Sequence, residues 1–232
     1  MTASSDFIIA PAPVHSLAVA GETRRFPVNR VYCVGRNYGD HAREMGHDPD
    51  REPPFFFMKP ANAIVTDGAD FPYPSLSKDV HHEIEMVVAL KSGGSNIAVA
   101  DALNHVFGYG VGLDMTRRDL QGEAKKMGRP WDTGKAFDAS GPCGPLVPVA
   151  KIGHPAKGAI TLKVNGKVTQ SGDLSELIWN VPETIAYLST LFELQPGDLI
   201  FSGTPAGVGP VQKGDVMLGE IAGFDALQVK VV

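Results

Sequence analysis

Two glutamates stand two residues apart in the apolar run "HHEIEMVVAL" (81–90). Side chains alternate between the two faces of a β-strand, so Glu83 and Glu85 would share one face with Val87. Burying one carboxylate is costly, and two neighbouring carboxylates repel each other unless a cation lies between them. The run is therefore either a cation-binding strand or an edge strand with a solvated face, and the pattern alone leaves both interpretations open.

A third carboxylate, Asp114, ends the apolar run "GYGVGLD" (108–114), where a strand is expected to give way to a helix. Three carboxylates without cysteine form a hard oxygen ligand set, which suits Mg²⁺ or Mn²⁺. Zinc fits less well, because an HExxH motif starting at His82 would need histidine where Met86 stands. Taken alone, Asp114 is more typical of an N-cap for the helix that follows it.

A histidine and a glutamate lie three residues apart in "GRNYGDHAREM" (35–45). On a helix His41 and Glu44 would share a face, where the carboxylate could orient the imidazole as a general base for water. The same spacing is common on exposed helices, so a solvated pair is the competing interpretation. This segment and the polar, proline-bearing stretch after it are expected to form a lid.

Two further groups could contact an anion. Lys135 follows the glycine-marked loop "GRPWDTG" (128–134) and could bind a carboxylate or an enolate oxygen, although a lone lysine is usually solvated. The stretch "SGTPAGVGP" (202–210) could present backbone N–H groups, but it lacks the sequence of a phosphate loop. A turn between strands is the default interpretation of that stretch.

Composition narrows the class of protein. The 232 residues are 43% hydrophobic with a net charge of −5, so the basic footprint of a nucleic-acid-binding protein is missing and a small ligand is expected. The two cysteines, Cys33 and Cys143, lack the spacing of a zinc ribbon or redox pair. No segment approaches the roughly 20 apolar residues of a membrane span, and the first residues do not have the pattern of a secretory signal. We expect a soluble, cytoplasmic protein without nucleic-acid or membrane partners.

The elements that must position these residues are mostly short strands. Asn165 and Gly166, between two alternating runs, predict a type I′ hairpin turn. The segment 175–194 predicts an amphipathic helix in which Pro182 must lie at a break or in the first turn. Few helices and no regular βαβ alternation favour a mixed, mainly β architecture over a doubly wound sheet. Residues 1–28 are expected to form an N-terminal arm or small strand segment, and 29–232 the main domain.

The order of these groups resembles the fumarylacetoacetate hydrolase family, in its acylpyruvase and fumarylpyruvate hydrolase branch. The resemblance runs from about Arg30 to the C-terminus and rests on seven stretches: "GRNYGDHAREMG", "PFFFMKP", "HHEIEMVVAL", "GYGVGLDMTRRDLQ", "GRPWDTGKAFDASGP", "LKVNGKVTQSG" and "GDLIFSGTPAGVGPV". It implies a mixed α/β, mainly β fold of the family's sandwich-roll type, with short helices and a lid. It also implies a homodimer.

The resemblance also assigns roles to the candidate residues. The metal ligands for one Mg²⁺ or Mn²⁺ would be Glu83, Glu85 and Asp114. The catalytic residues would be His41 and Glu44, a dyad on the lid that activates water, and Lys135, which contacts the metal-bound ligand. The substrate-binding residues would be Gln121 beside that ligand, Thr204 at the pyruvate carboxylate, and Arg36 and Arg118 as further anion contacts.

The implied reaction is hydrolysis of a carbon–carbon bond in a 2,4-diketo acid, an acylpyruvate. The lid stretch "MGHDPDREPPFFFMKP" (45–60) is similar to fumarylpyruvate hydrolases, which favours fumarylpyruvate as the substrate and fumarate and pyruvate as the products. One alternative keeps the metal site and changes the reaction: an oxaloacetate decarboxylase, or an isomerase and decarboxylase of the homoprotocatechuate pathway. A second alternative is a non-catalytic metal-binding domain.

Overall fold

The computed structural model of the chain describes residues 7–39 and 52–232, and strands dominate them. In chain order the strands are β1 (Ser16–Leu17), β2 (Phe26–Pro27), β3 (Val31–Gly35), β4 (Phe55–Lys59), β5 (Ile64–Val65), β6 (Val80–His82), β7 (Ile84–Leu90), β8 (Val106–Leu113), β9 (Thr116–Arg117), β10 (Gly141–Pro142), β11 (Val147–Pro148), β12 (Ala159–Val164), β13 (Lys167–Asp173), β14 (Leu199–Phe201), β15 (Gly209–Pro210), β16 (Val216–Ile221) and β17 (Leu227–Lys230). The α-helices are α1 (Arg118–Lys126), α2 (Asp132–Lys135), α3 (Val149–Ile152) and α4 (Val181–Leu191). Short 3₁₀ helices are Ala61–Ala63, Ala102–His105 and Leu174–Glu176.

The largest sheet has six strands in the order β11-β8-β7-β14-β3-β4. Strand β7 lies inside it between β8 and β14, and all seven of its residues are buried. Strands β3 and β14 pair in parallel, and an ion pair links the residues that precede them. Arg30 Nη2 lies 2.6 Å from Oδ2 of the buried Asp198. A central strand of this kind places its side chains on two covered faces.

The alternation along β7 divides the core. Ile84 and Met86 belong to the larger apolar cluster, whereas Val87 and Ala89 belong to a smaller one on the other face. The N-terminal hairpin of β1 and β2 adds Leu17 and other apolar side chains to the smaller cluster. The division of the chain at residues 28 and 29 stays a prediction.

A second sheet covers the larger cluster. Its four strands follow the order β13-β12-β16-β17, and Ile160 and Met217 contribute to that cluster. Asn165 and Gly166 join β12 to β13 with φ of 52° and 80°, which confirms the predicted type I′ turn. Two packed sheets with few helices confirm the predicted mainly β sandwich.

Helix α4 begins at a capping signal that can be recognised in the sequence. Asn180 caps α4, its side chain accepting the N–H of Glu183, and Pro182 lies in the first turn as predicted. The predicted start of this helix near residue 175 is wrong, because residues 174–176 form a separate 3₁₀ turn. No helix in residues 7–39 and 52–232 is long and apolar enough to cross a membrane. Most of the predicted lid falls at 40–51, outside the described residues.

Candidate metal centre

The register between β7 and β8 brings the three predicted metal ligands to one place. Ile84 pairs with Leu113, and Glu85 with Gly112. The same register places Glu83 opposite Asp114, whose backbone N–H donates to the Glu83 carbonyl at 2.8 Å. Residues opposite each other in an antiparallel pair share a face, so the three carboxylates point to the same side. Sequence periodicity did not predict the strand break at Glu83, which separates β6 from β7.

The three carboxylates form one buried cluster. One oxygen from each of Glu83, Glu85 and Asp114 lies within 4.8 Å of the others. Their residues are 4%, 2% and 0% exposed, so the solvated-edge interpretation is wrong: β7 is a central strand. The N-cap interpretation of Asp114 is also wrong, because Arg117 holds the N-cap position of α1.

Lys135 reaches this cluster from the end of α2. Its Nζ donates to Glu83 Oε2, to Asp114 Oδ2 and to Thr116 Oγ1, each at 2.7 Å. Burial lowers the pKa of Lys135, but the charges of Asp114 and Glu83 outweigh burial and raise that pKa overall. The lysine is only 2% exposed, so the solvated interpretation of it is wrong.

A second buried lysine was missed by the sequence analysis. Lys59 is 1% exposed, and its Nζ lies 2.8 Å from Asp114 Oδ1 and donates to the carbonyls of Met115 and Lys135. A signal was present, because strand alternation puts Lys59 on the same face as Phe57 and Phe55 in the apolar run "FFFMK". A charge on an apolar strand face is the same feature that identified the glutamates.

Helix α1 adds the third cation. Arg118 Nη2 lies 2.5 Å from Glu83 Oε1, and its Nη1 donates to the side-chain oxygen of Gln121 at 2.7 Å. Both residues were predicted to contact substrate, and the structure places both in the wall of the cavity next to the carboxylates. Arg118, Lys59 and Lys135 together match the three negative charges of the cluster.

Glu85 is held differently from the other two carboxylates. Its Oε2 accepts the backbone N–H of Gly203 at 2.7 Å. Burial, with the negative charges of Asp114 and Glu83, raises the pKa of Glu85 well above its ordinary value. Gly203 has φ of 100°, and a Cβ there would meet Asn37 Cβ at 2.6 Å, so this contact requires glycine.

Gln170 on β13 connects the glutamate strand to the loop that carries Thr204. Its Oε1 accepts from Ile84 N at 3.1 Å and lies 2.9 Å from His82 Nδ1. Its Nε2 donates to Thr204 Oγ1 at 2.8 Å and to the Pro205 carbonyl at 2.9 Å. Sequence reasoning missed this residue, since a glutamine in a hairpin strand carries no local signal of a buried role.

The chemistry of the cluster fits a hard divalent cation. Asp114 Oδ1 is buried and forms an ion pair with Lys59 Nζ at 2.8 Å. Among the residues that the structure describes, Glu85 has no lysine or arginine within ion-pair distance. Three carboxylate ligands leave positions of an octahedral ion open for a small molecule. The geometry agrees with the predicted Mg²⁺ or Mn²⁺ site.

Two more residues that were predicted to bind substrate lie in the wall of the cavity. Arg36 lines the same cavity with its Cζ 5.2 Å from the centre of the Phe55 ring, and its buried Nε has no hydrogen-bond partner in residues 7–39 and 52–232. Thr204 also lines the cavity. His41 and Glu44 lie outside the described residues, so the dyad stays a prediction.

A family model described as "Fumarylacetoacetate (FAA) hydrolase C-terminal" matches residues 30–232. The chain belongs to the fumarylacetoacetate hydrolase family. This confirms the resemblance seen in the sequence, from "HHEIEMVVAL" to "GDLIFSGTPAGVGPV".

Relatives in the fumarylacetoacetate hydrolase family carry several activities. The crystal structure of fumarylpyruvate hydrolase from Pseudomonas aeruginosa in complex with Mn²⁺ and pyruvate is 54% identical, with a TM-score of 0.96 over 97% of this chain and 99% of that one. Fumarylpyruvate hydrolase of Ralstonia sp is 43% identical over 81% of this chain and 98% of its own length. The human oxaloacetate tautomerase FAHD1, mitochondrial, is 41% identical over 87% and 90%. The family model and the two fumarylpyruvate hydrolases confirm the predicted fold and the predicted type of enzyme, a carbon–carbon bond hydrolase, whereas the tautomerase shows that activities vary in the family.

Proposed function

We propose that the chain is a divalent-metal-dependent fumarylpyruvate hydrolase that converts fumarylpyruvate and water to fumarate and pyruvate. The observation that carries the proposal is the buried cluster of Glu83, Glu85 and Asp114 with Lys135 bonded to two of the three carboxylates. The 54% identity to a fumarylpyruvate hydrolase crystallised with Mn²⁺ and pyruvate supports it.

The carboxylates of Glu83, Glu85 and Asp114 would hold Mg²⁺ or Mn²⁺. When bound, the cation acts as a Lewis acid that withdraws charge from the 2-oxo group of the substrate. Because Gly203 fixes one oxygen of Glu85 and the Asp114 N–H fixes the backbone at Glu83, the ligand set is organised before a substrate arrives.

The groups around the carboxylates would orient the pyruvate end of the substrate. Thr204, held by Gln170, contacts the pyruvate carboxylate, and Arg118 and Gln121 line the cavity beside it. Water adds to the carbonyl carbon at position 4, the bond between carbons 3 and 4 breaks, and its electron pair stays on the pyruvate fragment as an enolate. The ammonium of Lys135 is placed to stabilise the negative charge that develops on the enolate oxygen. The proton that the attacking water gives up is then delivered to carbon 3, which completes pyruvate.

The proton from the attacking water needs a base, and His41 oriented by Glu44 is our proposal for it. The support is their spacing in the sequence and their place in the family's motif order. His41→Ala is expected to keep metal affinity and to lose hydrolysis. A His41→Ala enzyme that hydrolyses fumarylpyruvate at the parent rate would rule out this assignment.

The function is tested with metal-loaded protein and a panel of keto acids. Fumarylpyruvate, acetylpyruvate and oxaloacetate are incubated with Mg²⁺ or Mn²⁺, and loss of diketo-acid absorbance is followed together with pyruvate formation. We expect pyruvate and fumarate in equal amounts from fumarylpyruvate, and neither product after chelation of the metal. The hydrolase proposal fails if neither diketo acid is turned over.

The same panel tests the other activities. The oxaloacetate tautomerase relatives, 41% identical, give a reason to include oxaloacetate, whose tautomerisation and decarboxylation need no attacking water. Turnover of oxaloacetate alone, unaffected by His41→Ala, would favour that chemistry. A purely structural metal site is disfavoured, because the cluster found in the described residues has three carboxylates and leaves coordination positions open. A homodimer and a cytoplasmic location remain predictions.

A further inference from the structure

Within the part of the chain that the structure describes, two cations in the wall of the candidate site form no ion pair with a carboxylate. Arg36 and Lys125 line the cavity that also contains Glu83, Glu85 and Asp114. Lys59, Lys135 and Arg118 form ion pairs with Asp114 and Glu83, and they equal the three carboxylates in number. Within residues 7–39 and 52–232, neither Arg36 nor Lys125 has a carboxylate within ion-pair distance. Counted against the three carboxylates alone, these five basic groups leave two positive charges in excess, and Glu52 acts on Arg36 from beyond ion-pair distance.

Aromatic rings hold these two cations in place. Lys125 Nζ lies 4.8 Å from the centre of the Trp131 ring, and Arg36 Cζ lies 5.2 Å from that of Phe55. The two rings meet edge to face with centroids 5.2 Å apart. Cation–π contacts keep a positive charge without neutralising it, so both groups can still pair with an incoming anion.

Helix α1 fixes the distance between this pair and the metal ligands. Arg118, Gln121 and Lys125 follow at intervals of three and four residues, so they share one face of the helix. Arg118 bonds Glu83 at the start of the helix, and Lys125 stands two turns further on, about 10 Å along the axis. A substrate bound to a metal ion at these carboxylates would thus extend along α1 toward Lys125.

The charge on Lys125 reflects its surroundings. Burial, followed by the positive charges of Arg118 and Arg36, lowers the pKa of Lys125 to about 8. A carboxylate bound here would replace this repulsion with attraction. Arg36 supplies a planar guanidinium that can donate two parallel hydrogen bonds to one carboxylate.

We propose that Lys125 and Arg36 bind the distal carboxylate of a dicarboxylic 2-oxo acid whose other end lies at Glu83, Glu85 and Asp114. The proposal rests on the proposed function, and it deepens that function by naming the residues that select a dicarboxylate over an uncharged acyl chain. Neither the metal ligands nor the proposed dyad would provide this selection, because they act at the other end of the substrate or on water.

The kinetic test compares two substrates that differ at the distal end. Lys125→Met keeps the apolar stem over Trp131 and removes the charge. We expect kcat/KM for fumarylpyruvate to fall at least about tenfold, mainly through KM, while kcat/KM for acetylpyruvate stays within twofold. Lys126→Met is the matched control, since Lys126 is the next residue on α1 and is exposed. Equal losses for the two substrates, or no loss for fumarylpyruvate, would overturn the proposal.

A binding test separates this proposal from the proposed function. Mn²⁺-loaded protein is titrated by calorimetry with 2-oxoheptanedioate and 2-oxoheptanoate. The two acids have the same chain length, and neither can be hydrolysed because both lack the 4-oxo group. We expect the dicarboxylate to bind at least about tenfold tighter, and Lys125→Met or Arg36→Gln to reduce that ratio toward one. Oxalate binding should be unchanged in both variants. If the parent protein binds the two acids with nearly equal affinity, the distal site is refuted even if fumarylpyruvate is hydrolysed. If the dicarboxylate binds much more tightly but fumarylpyruvate is not hydrolysed, only the proposed function is refuted.

Discussion

Replacing Gln170 by leucine removes four hydrogen bonds from a fully buried position. The side chain joins Ile84, the residue between Glu83 and Glu85, to the loop of Thr204. Leucine has a similar volume but neither accepts nor donates a hydrogen bond. We expect Gln170→Leu to destabilise the fold through the polar groups that are left behind, and not through a cavity.

The magnitude follows from which partners can adapt. The Thr204 hydroxyl can rotate and the His82 ring can change its tautomer, so those two groups have other options. The Ile84 N–H and the Pro205 carbonyl are backbone groups with fixed directions, and each buried group left unsatisfied costs about 1–3 kcal/mol. The expected loss in the free energy of unfolding is therefore about 2–6 kcal/mol. At about 2–4 °C per kcal/mol for a chain of this size, a 4 kcal/mol loss lowers Tm by roughly 8–16 °C.

The assay is urea unfolding of metal-free protein, followed by circular dichroism. Gln170→Glu retains the acceptor for the Ile84 N–H, and at a pH where the new carboxyl is protonated its O–H can still donate one hydrogen bond to the Pro205 carbonyl, so this variant should lose less stability there. Gln228→Leu on β17 changes the same residue types at an exposed position and should stay within about 0.5 kcal/mol of the parent. A loss below about 1 kcal/mol for Gln170→Leu would refute the reasoning that the four bonds act as a buried link.

Three further predictions concern individual positions. Burial and like charges raise the pKa of Glu85, so the stability of the metal-free protein should fall as pH rises from the ordinary glutamate range through the raised pKa. Glu85→Gln should flatten this pH dependence and abolish Mn²⁺ binding. Thermal melts with and without Mn²⁺ would show both effects. Asp198→Ala should cost about 1–3 kcal/mol in urea unfolding, because it removes the acceptor of the Gln195 N–H and of the partly exposed Arg30 guanidinium; unchanged stability would contradict this role. Gly166→Ala should cost about 1–2 kcal/mol, since φ of 80° disfavours a Cβ, and a stabilised variant would contradict the type I′ turn.

The part of the site that the sequence predicted came from charges on apolar strands. Period-two alternation put Glu83 and Glu85 on one face, and the apolar run ending at Asp114 identified the third ligand. The solvated alternatives failed because burial depends on the neighbours of a strand, and sequence does not show that β7 lies between β8 and β14.

The rest of the site depends on pairings between distant segments. Gln170 bonds residues 34 and 86 positions away, so its role appears only when the two sheets are packed. The role of Lys59 could have been predicted, because strand alternation puts its charge on the apolar face of Phe55 and Phe57. A charged residue on an apolar strand face indicates a buried site whether it is acidic or basic. Lys125 was not singled out by the sequence analysis, because its contact with the Trp131 ring forms only in the folded chain.

The strand break at Glu83 has a consequence for motion. Strand β6 belongs to a three-stranded sheet with β15 and β9, whereas β7 belongs to the six-stranded sheet, and Glu83 alone separates them. A cation bound by Glu83 and Glu85 would connect the backbone on both sides of this junction, so separating the sheets would require its release. When free metal is in large excess over its Kd, the equilibrium constant for local opening should fall by about the ratio of the free metal concentration to Kd. Amide hydrogen exchange at Asp114, whose N–H donates across the junction, would slow by that factor as Mn²⁺ is titrated.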